Sequence, residues 1–313
     1  METASKDVLF TVAMELDLPS LLRWCASNSK IKKDVCQNDH VWRSKLLKDY
    51  PDYQKFDLNR SLRETYVFLY QLSYIKKLIN SNESLIDIFL KKEISLSRKG
   101  LNKVPAFDLP NLQILSLDNN ELTEVPLFNL PNLRIFNLAG NRLKEVPELI
   151  LPKLQKLSLT YNKLTKVPAF NLPNLQQLYL SHNSLTEVPA FNLPSLQVLD
   201  LDFNQLTKVP AFNLPNLQKL DLYNNQLIEV PEFNLPKLQY LSLSTNNLTE
   251  VPAFNLPNLQ KLDLYNNRLI EVPEFNLPNL QVLGLSNNQL TEIAKKKLQE
   301  KYRNNVRLYQ LDM

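Results

Sequence analysis

The sequence predicts an α+β repeat protein, with a short N-terminal α-helical domain followed by a curved solenoid carrying a parallel β-sheet on its concave face. Three observations lead there. An asparagine recurs every 21 residues nine times without a slip, at Asn120, Asn141, Asn162, Asn183, Asn204, Asn225, Asn246, Asn267 and Asn288. One fixed period of this length marks stacked units rather than a closed globule. The composition changes near residue 93, with 18 of the 20 prolines beyond it and only Pro19 and Pro51 before it. Ahead of that point the apolar residues fall at helical spacing. The predicted organisation is a helical domain over 1–50, a helical linker or cap over 51–92, repeats over 93–293, and a capping helix with a tail over 294–313.

Residues Val8, Leu9, Val12, Ala13, Leu16, Leu18, Leu21, Leu22 and Cys25 fit two short helices broken near Asp17-Leu18-Pro19, since proline is tolerated at a helix start. A further helix is expected from Asp39 to Leu47, ending near Tyr50-Pro51. Ser61-Leu-Arg-Glu64 has capping-box spacing ahead of a helix over 62–79 with apolar residues at Tyr66, Phe68, Leu69, Leu72, Ile75 and Leu78. Leu85 to Leu90 leads into the array. Its first turn is imperfect: Ile94-Ser-Leu96 matches the strand frame, but Lys99 stands where the asparagine belongs, as in a terminal unit with one unstacked side. At the far end Ala294 to Tyr302 reads as an amphipathic closing helix.

Within a unit, Leu115-Ser-Leu117 alternates as a short strand with its leucines inward. One turn alone cannot bury those leucines, whereas stacked turns bury them in one continuous core. The sharp bend that follows leaves backbone groups without strand partners. An asparagine amide both donates and accepts, so a stacked row of them can satisfy those groups. The return path, such as Val125-Pro-Leu-Phe-Asn-Leu-Pro131, is too short and proline-rich for a full helix, so extended or single-turn structure is expected. Phe107, Phe128, Phe170, Phe191, Phe212, Phe233, Phe254 and Phe275 form a packed spine there, replaced before Leu151 by Glu148-Leu-Ile150.

The formal charge of +4 is uneven: residues 93–293 carry 15 basic and 18 acidic residues, with basic flanks. No basic stripe follows the repeats, which argues against nucleic acid as the main ligand. No apolar run reaches the ~18–20 residues of a membrane span, and no secretory signal is expected at the N-terminus. Cys25 and Cys36 lie outside the repeats and are expected as free thiols, which points to an intracellular, cytoplasmic or nuclear protein. His40 and His182 have no metal-spaced neighbours, and three glycines make no phosphate loop. The reading is a non-enzyme with no cofactor and no metal.

The frame Leu-x-x-Leu-x-Leu-x-x-Asn-x-Leu resembles the leucine-rich repeat family over residues 93–293. That resemblance implies a protein partner on the concave face. The outward strand positions there vary most between units: Lys156, Lys219, Tyr240 and Lys261 before the first inward leucine of the strand, Tyr179, Asp200, Asp221 and Asp263 between the two, Asp202, Tyr223 and Tyr265 after the second, and Tyr161, His182 and Phe203 one further on. Exposed aromatics among opposite charges suit interface anchors, although a merely solvated face is the other reading. Residues 214–234 and 256–276 differ only at Gln226 against Arg268, so part of this pattern reflects a copied double unit.

Leu18-Pro-Ser-Leu-Leu22, the apolar helix after it and Trp42 resemble an F-box, in the form found in many large DNA virus proteins. Lys6-Asp-Val-Leu9 stands where that family opens with Leu-Pro. The resemblance implies docking on a Skp-type linker of cullin ubiquitin ligases through Leu9, Leu18, Pro19, Leu21 and Leu22. The expected function is an adaptor that brings a target protein to such a ligase. The alternative is a stand-alone scaffold or decoy whose helices only cap the array.

Overall fold

The computed structural model describes residues 5–56, 58–302 and 307–309. It divides into two compact units: the residues up to Lys91 together with Pro105–Leu109, and Lys92–Val104 together with the chain from Pro110 onward.

The first unit is helical. Helices α1 (Lys6–Glu15) and α2 (Leu18–Ser27) part where the pattern breaks. The cause is local: extended Asp17 accepts a hydrogen bond from Ser20 N at 2.9 Å, and Pro19 occupies the first turn, where a missing N–H leaves nothing unpaired. The sequence pattern gives no sign of the next segment, α3 (Ser29–Ile31) running into a π-helical turn over Lys32–Cys36. Asn28 starts it by accepting from Lys30 N and Ile31 N. The turn reverses the chain and returns Cys36 to Cys25 as a disulfide, with Cα atoms 6.0 Å apart. The expectation of free thiols is therefore corrected.

Helix α4 (Asp39–Asp49) supplies the buried Trp42, whose indole N–H donates to Cys36 O at 3.0 Å. It also buries Lys45, which donates to Leu16 O at 2.9 Å and pairs with Asp49 at 3.4 Å. A buried ammonium is tolerable here because it meets carbonyls left over at the end of α1. Both halves of the predicted capping box at Ser61 and Glu64 form, opening α5 (Leu62–Leu78), and a second box at Ser84 and Asp87 opens α6 (Leu85–Leu90). Arg60 pairs with Asp108 and lies over the Phe68 ring at 4.4 Å, which ties the 105–109 segment to this unit.

The second unit is an eleven-stranded parallel sheet in strict chain order. Its strands are β1 (Glu93–Ser95), β2 (Ile114–Ser116), β3 (Ile135–Asn137), β4 (Lys156–Ser158), β5 (Gln177–Tyr179), β6 (Val198–Asp200), β7 (Lys219–Asp221), β8 (Tyr240–Ser242), β9 (Lys261–Asp263), β10 (Val282–Gly284) and β11 (Arg307–Tyr309). Three residues are too few to hold a strand alone. The register fixes them: Leu157, Leu178, Leu199 and Leu220 are cross-strand partners, and all are fully buried. Helix α7 (Glu292–Tyr302) starts earlier than the apolar pattern, because Thr291 Oγ1 accepts from Ala294 N at 3.2 Å. Strand β11 extends the sheet where only a tail is expected. Residues 303–306 and 310–313 of that tail lie outside the described residues, as do residues 1–4 of the segment read for a leader.

The asparagine row acts as foreseen. Asn225 Nδ2 donates to Leu201 O of the preceding repeat at 3.0 Å and to its own Leu222 O at 3.2 Å, while its Oδ1 accepts from Leu206 N at 3.0 Å. Even the imperfect first turn joins in, because Asn120 Oδ1 accepts from both Lys99 N and Leu101 N at 3.0 Å. The return paths run extended. Phe170 through Phe275 stack with ring centroids 5.9–6.4 Å apart and planes within 20°, and buried Leu149 fills the same place one repeat earlier. Offset stacking of this kind adds to plain burial.

Asn225→Ala removes an acceptor and a donor from a buried bend and is expected to cost about 1–3 kcal/mol. A lowered urea midpoint in circular dichroism checks this; an unchanged midpoint would show that the amide is dispensable.

Candidate functional site

Each strand from β4 to β9 buries its central leucine and turns its first and third residues to the other side, so the six strands assemble one face from residues far apart in sequence. Tyr240 lies in register between Lys219 and Lys261, and each ammonium sits 5.1 Å from its ring centroid. Lys156 lies over Tyr179 at the same distance. Lys219 pairs with Asp221 at 3.1 Å and Lys261 with Asp263 at 3.6 Å. Tyr179, Asp200 and Asp221 are successive cross-strand partners. The face is therefore a set of cations seated on aromatic rings, beside a row of carboxylates.

The aspartates between the strand leucines also have a backbone task that the sequence pattern does not reveal. Asp200, Asp221 and Asp263 accept, through Oδ1, the N–H groups of Asp202, Tyr223 and Tyr265 at 3.2–3.3 Å. Asn137 does the same for Ala139 at 3.1 Å, so a short side-chain oxygen is what this place requires.

Crowding of like charge sets the electrostatics. Burial, then the neighbouring Asp202 charge, pushes the Asp200 carboxyl up to about 6. Burial and Asp221 raise Asp202 as well. Burial works against the Lys219 ammonium, but Asp221, Asp200 and Tyr240 together outweigh it and hold the cation charged. Asp202 Oδ1 is buried and, among the described residues, the one such side-chain atom without a hydrogen-bond partner.

One position further along, Tyr161, His182 and Phe203 form a ladder. Their ring centroids are 4.0 and 4.2 Å apart with planes within 12°, and Tyr223 closes it edge-on at 5.1 Å. All three have left-handed backbone, at φ of 54°, 52° and 46°. Asn119, Asn224, Asn266 and Asn287 take that conformation in other repeats. Asparagine tolerates it, while a bulky ring there costs energy. Tyr265 is exposed at its own repeat, and Asn287 Nδ2 donates to its hydroxyl at 2.9 Å.

The five residues expected to dock a linker do not share a surface. Leu9, Leu18 and Leu21 are buried in the helical unit's own core, Leu22 is half-buried and Pro19 is exposed. The apolar residues these helices leave outward are Val8 and Val12, at 54% and 41% exposure. Among the described residues, no group of three or more His, Cys, Asp and Glu could hold a metal ion, and no helix is long and apolar enough to cross a membrane.

The family model described as "Leucine Rich repeats (2 copies)" matches residues 110–151, 131–173, 152–183, 173–214, 215–256 and 257–299, more than half the chain. No curated protein sequence matches. Among solved structures, InlP from Listeria monocytogenes is 30% identical with a TM-score of 0.58, over 68% of this chain and 69% of that one. A chain of the Drosophila Toll–Spatzle complex is 26% identical with a TM-score of 0.53, over 61% of this chain and 29% of that one. YopM from Yersinia pestis, at 24% identity and a TM-score of 0.50 over 79% and 71%, shares the fold alone.

The Asp200 carboxyl, raised to about 6 in the fold from roughly 3.9 unfolded, stabilises the array only while protonated. That contribution is full below the unfolded value and is lost as pH rises through about 6. Asp200→Asn is therefore expected to match the wild type near pH 4 and to be more stable at pH 7.5, by on the order of 1 kcal/mol after allowing for solvent screening. Thermal melts of both proteins across that range check it; a constant gap would contradict it.

Proposed function

Because the chain belongs to the leucine-rich repeat family, we propose that it is a protein-binding adaptor: the strand face holds a target protein, and the N-terminal helices dock on the Skp-type linker of a cullin-type ubiquitin ligase. The observation that carries the first half is the aromatic and charged face laid across β4 to β9, on strands whose inward leucines are almost invariant. Aromatic anchors held rigid by a packed frame lose little entropy on binding. The Drosophila Toll–Spatzle complex is a complex between proteins, which fits the same reading. Covalent chemistry belongs to the partner ligase, and the adaptor itself is not an enzyme.

The second half rests on the F-box-like segment around Leu18–Leu22 and Trp42. With Leu9, Leu18 and Leu21 committed to the core, the linker would be met by Val8, Val12, Pro19 and Leu22. The burial of three expected contact residues favours a second reading, a stand-alone repeat scaffold or decoy. An intracellular, cytoplasmic location is part of the adaptor proposal. Its counterweight is the Cys25–Cys36 bond, because cytosolic reductants keep thiols reduced.

Two measurements test this. The full chain should retain a purified Skp-type linker in a pull-down, and Val8→Asp with Val12→Asp should abolish retention without unfolding, since both positions face solvent. No retention by the wild type leaves the scaffold reading. Separately, Tyr179→Ala, Phe203→Ala and Tyr223→Ala together should reduce target capture at least tenfold, about 1.4 kcal/mol; undiminished capture would move the interface off the strand face.

A further inference from the structure

The aromatic ladder lacks one rung. Tyr161, His182 and Phe203 stack on one another, so both faces of the His182 ring are covered, while Tyr161 is covered only on the His182 side and is 59% exposed. In the repeat before it, the same position is Gly140, with φ of +65° and no side chain. The outer face of the Tyr161 ring therefore borders a notch one side chain thick. The opposite wall is Asn119, whose Oδ1 lies 2.8 Å from where a Cβ on Gly140 would be. Asn119 Nδ2 donates to Asp118 Oδ2 at 2.7 Å, which turns the amide oxygen toward the notch.

An aromatic face on one side and an acceptor oxygen on the other suit a planar cation rich in N–H donors. We infer that this notch seats an arginine side chain from a basic segment of the target, with its guanidinium stacked on Tyr161 and donating to Asn119 Oδ1. The guanidinium is flat, permanently charged and weakly hydrated, and it stacks on rings; an ammonium has no flat face to offer. The remaining charge on the face fits a basic segment. Along the same strands Asp200, Asp202 and Asp221 share the single ammonium of Lys219, and Asp202 Oδ1 has no partner. Three nearby cations are placed elsewhere: Lys156 sits over Tyr179, Arg142 pairs with Glu121 at 3.3 Å, and Arg98 stands on the far side of Asn119 in the repeat order. The inference rests on the strand-face reading and narrows it to one class of partner.

The test uses the full chain and a short fluorescent peptide of alternating arginine and serine, with a lysine-for-arginine peptide as control, read by anisotropy at physiological salt. Two substitutions put the repeat's own asparagine into the notch positions and so preserve the left-handed backbone. Tyr161→Asn removes the ring, and Gly140→Asn fills the gap, displacing only the flexible end of Asn119. Thermal melts confirm that each folds. The arginine peptide should bind at least about fivefold more tightly than the lysine peptide, and either substitution should erase that preference. The double variant should lose no more than the larger single effect, because both act on one seat. Equal binding of the two peptides, no binding of either, or a preference that survives Tyr161→Asn overturns the inference. If the preference survives but Asp200→Asn with Asp202→Asn weakens binding, the strand face stands and the notch alone is wrong. If none of these substitutions matters, the strand-face reading falls with it.

Discussion

Each ladder asparagine satisfies backbone groups in two repeats at once, and the rest of the array depends on that one side chain. Asn225 donates to Leu201 O, Leu222 O and Tyr223 O and accepts from Leu206 N. Without it the bend after every strand would bury unpaired carbonyls and an unpaired N–H, at about 1–3 kcal/mol each. With it the chain turns sharply enough to return in 21 residues, and the leucines of three-residue strands meet their counterparts in register. A second row supports the return path: Asn132, Asn174, Asn216, Asn258 and Asn279 each donate to a proline carbonyl of the preceding repeat at 2.7–2.8 Å.

Because the frame is so completely specified, the outward positions are free to depart from it, and their departures carry the functional argument. The position after the strand is left-handed in every repeat from Arg98 to Asn287. Asparagine or glycine takes it in five of the ten at little cost, and Arg98 and Thr245 take it in two others. Three consecutive repeats place Tyr161, His182 and Phe203 there instead, and strands β6 and β7 set Asp200 beside Asp221, with Lys219 paired to Asp221. Strained backbone and crowded carboxylates both work against stability. Their concentration on one stretch of one face is what the proposed binding surface rests on.

The period, the strands, the phenylalanine spine and the helix boundaries at Asp17 and Ser61 were all legible, because each follows from local spacing or a single capping residue. What was not legible depends on how segments meet in space. Leu18 and Leu21 read as a docking edge, but an amphipathic helix does not declare whether its apolar side faces a partner or its own module. The Cys25–Cys36 bond required the π-helical turn over Lys32–Cys36, which no periodicity announces. Strand β11 lies in a basic tail without the leucine frame and is recruited by the exposed edge of β10. On the face itself, each side-chain type was evident, but the seating of Lys219 and Lys261 on Tyr240 and the gap at Gly140 emerge only when the repeats are stacked.

Native-state hydrogen exchange tests most directly whether the asparagine row holds the array together. The amides of Leu164, Leu185, Leu206, Leu227 and Leu248 each donate to the asparagine of the following repeat. They should exchange among the slowest in the chain and open together, with a common free energy, in a single cooperative event. Exchange of these leucines as fast as the exposed return-path amides, or at unrelated free energies from one repeat to the next, would contradict the account.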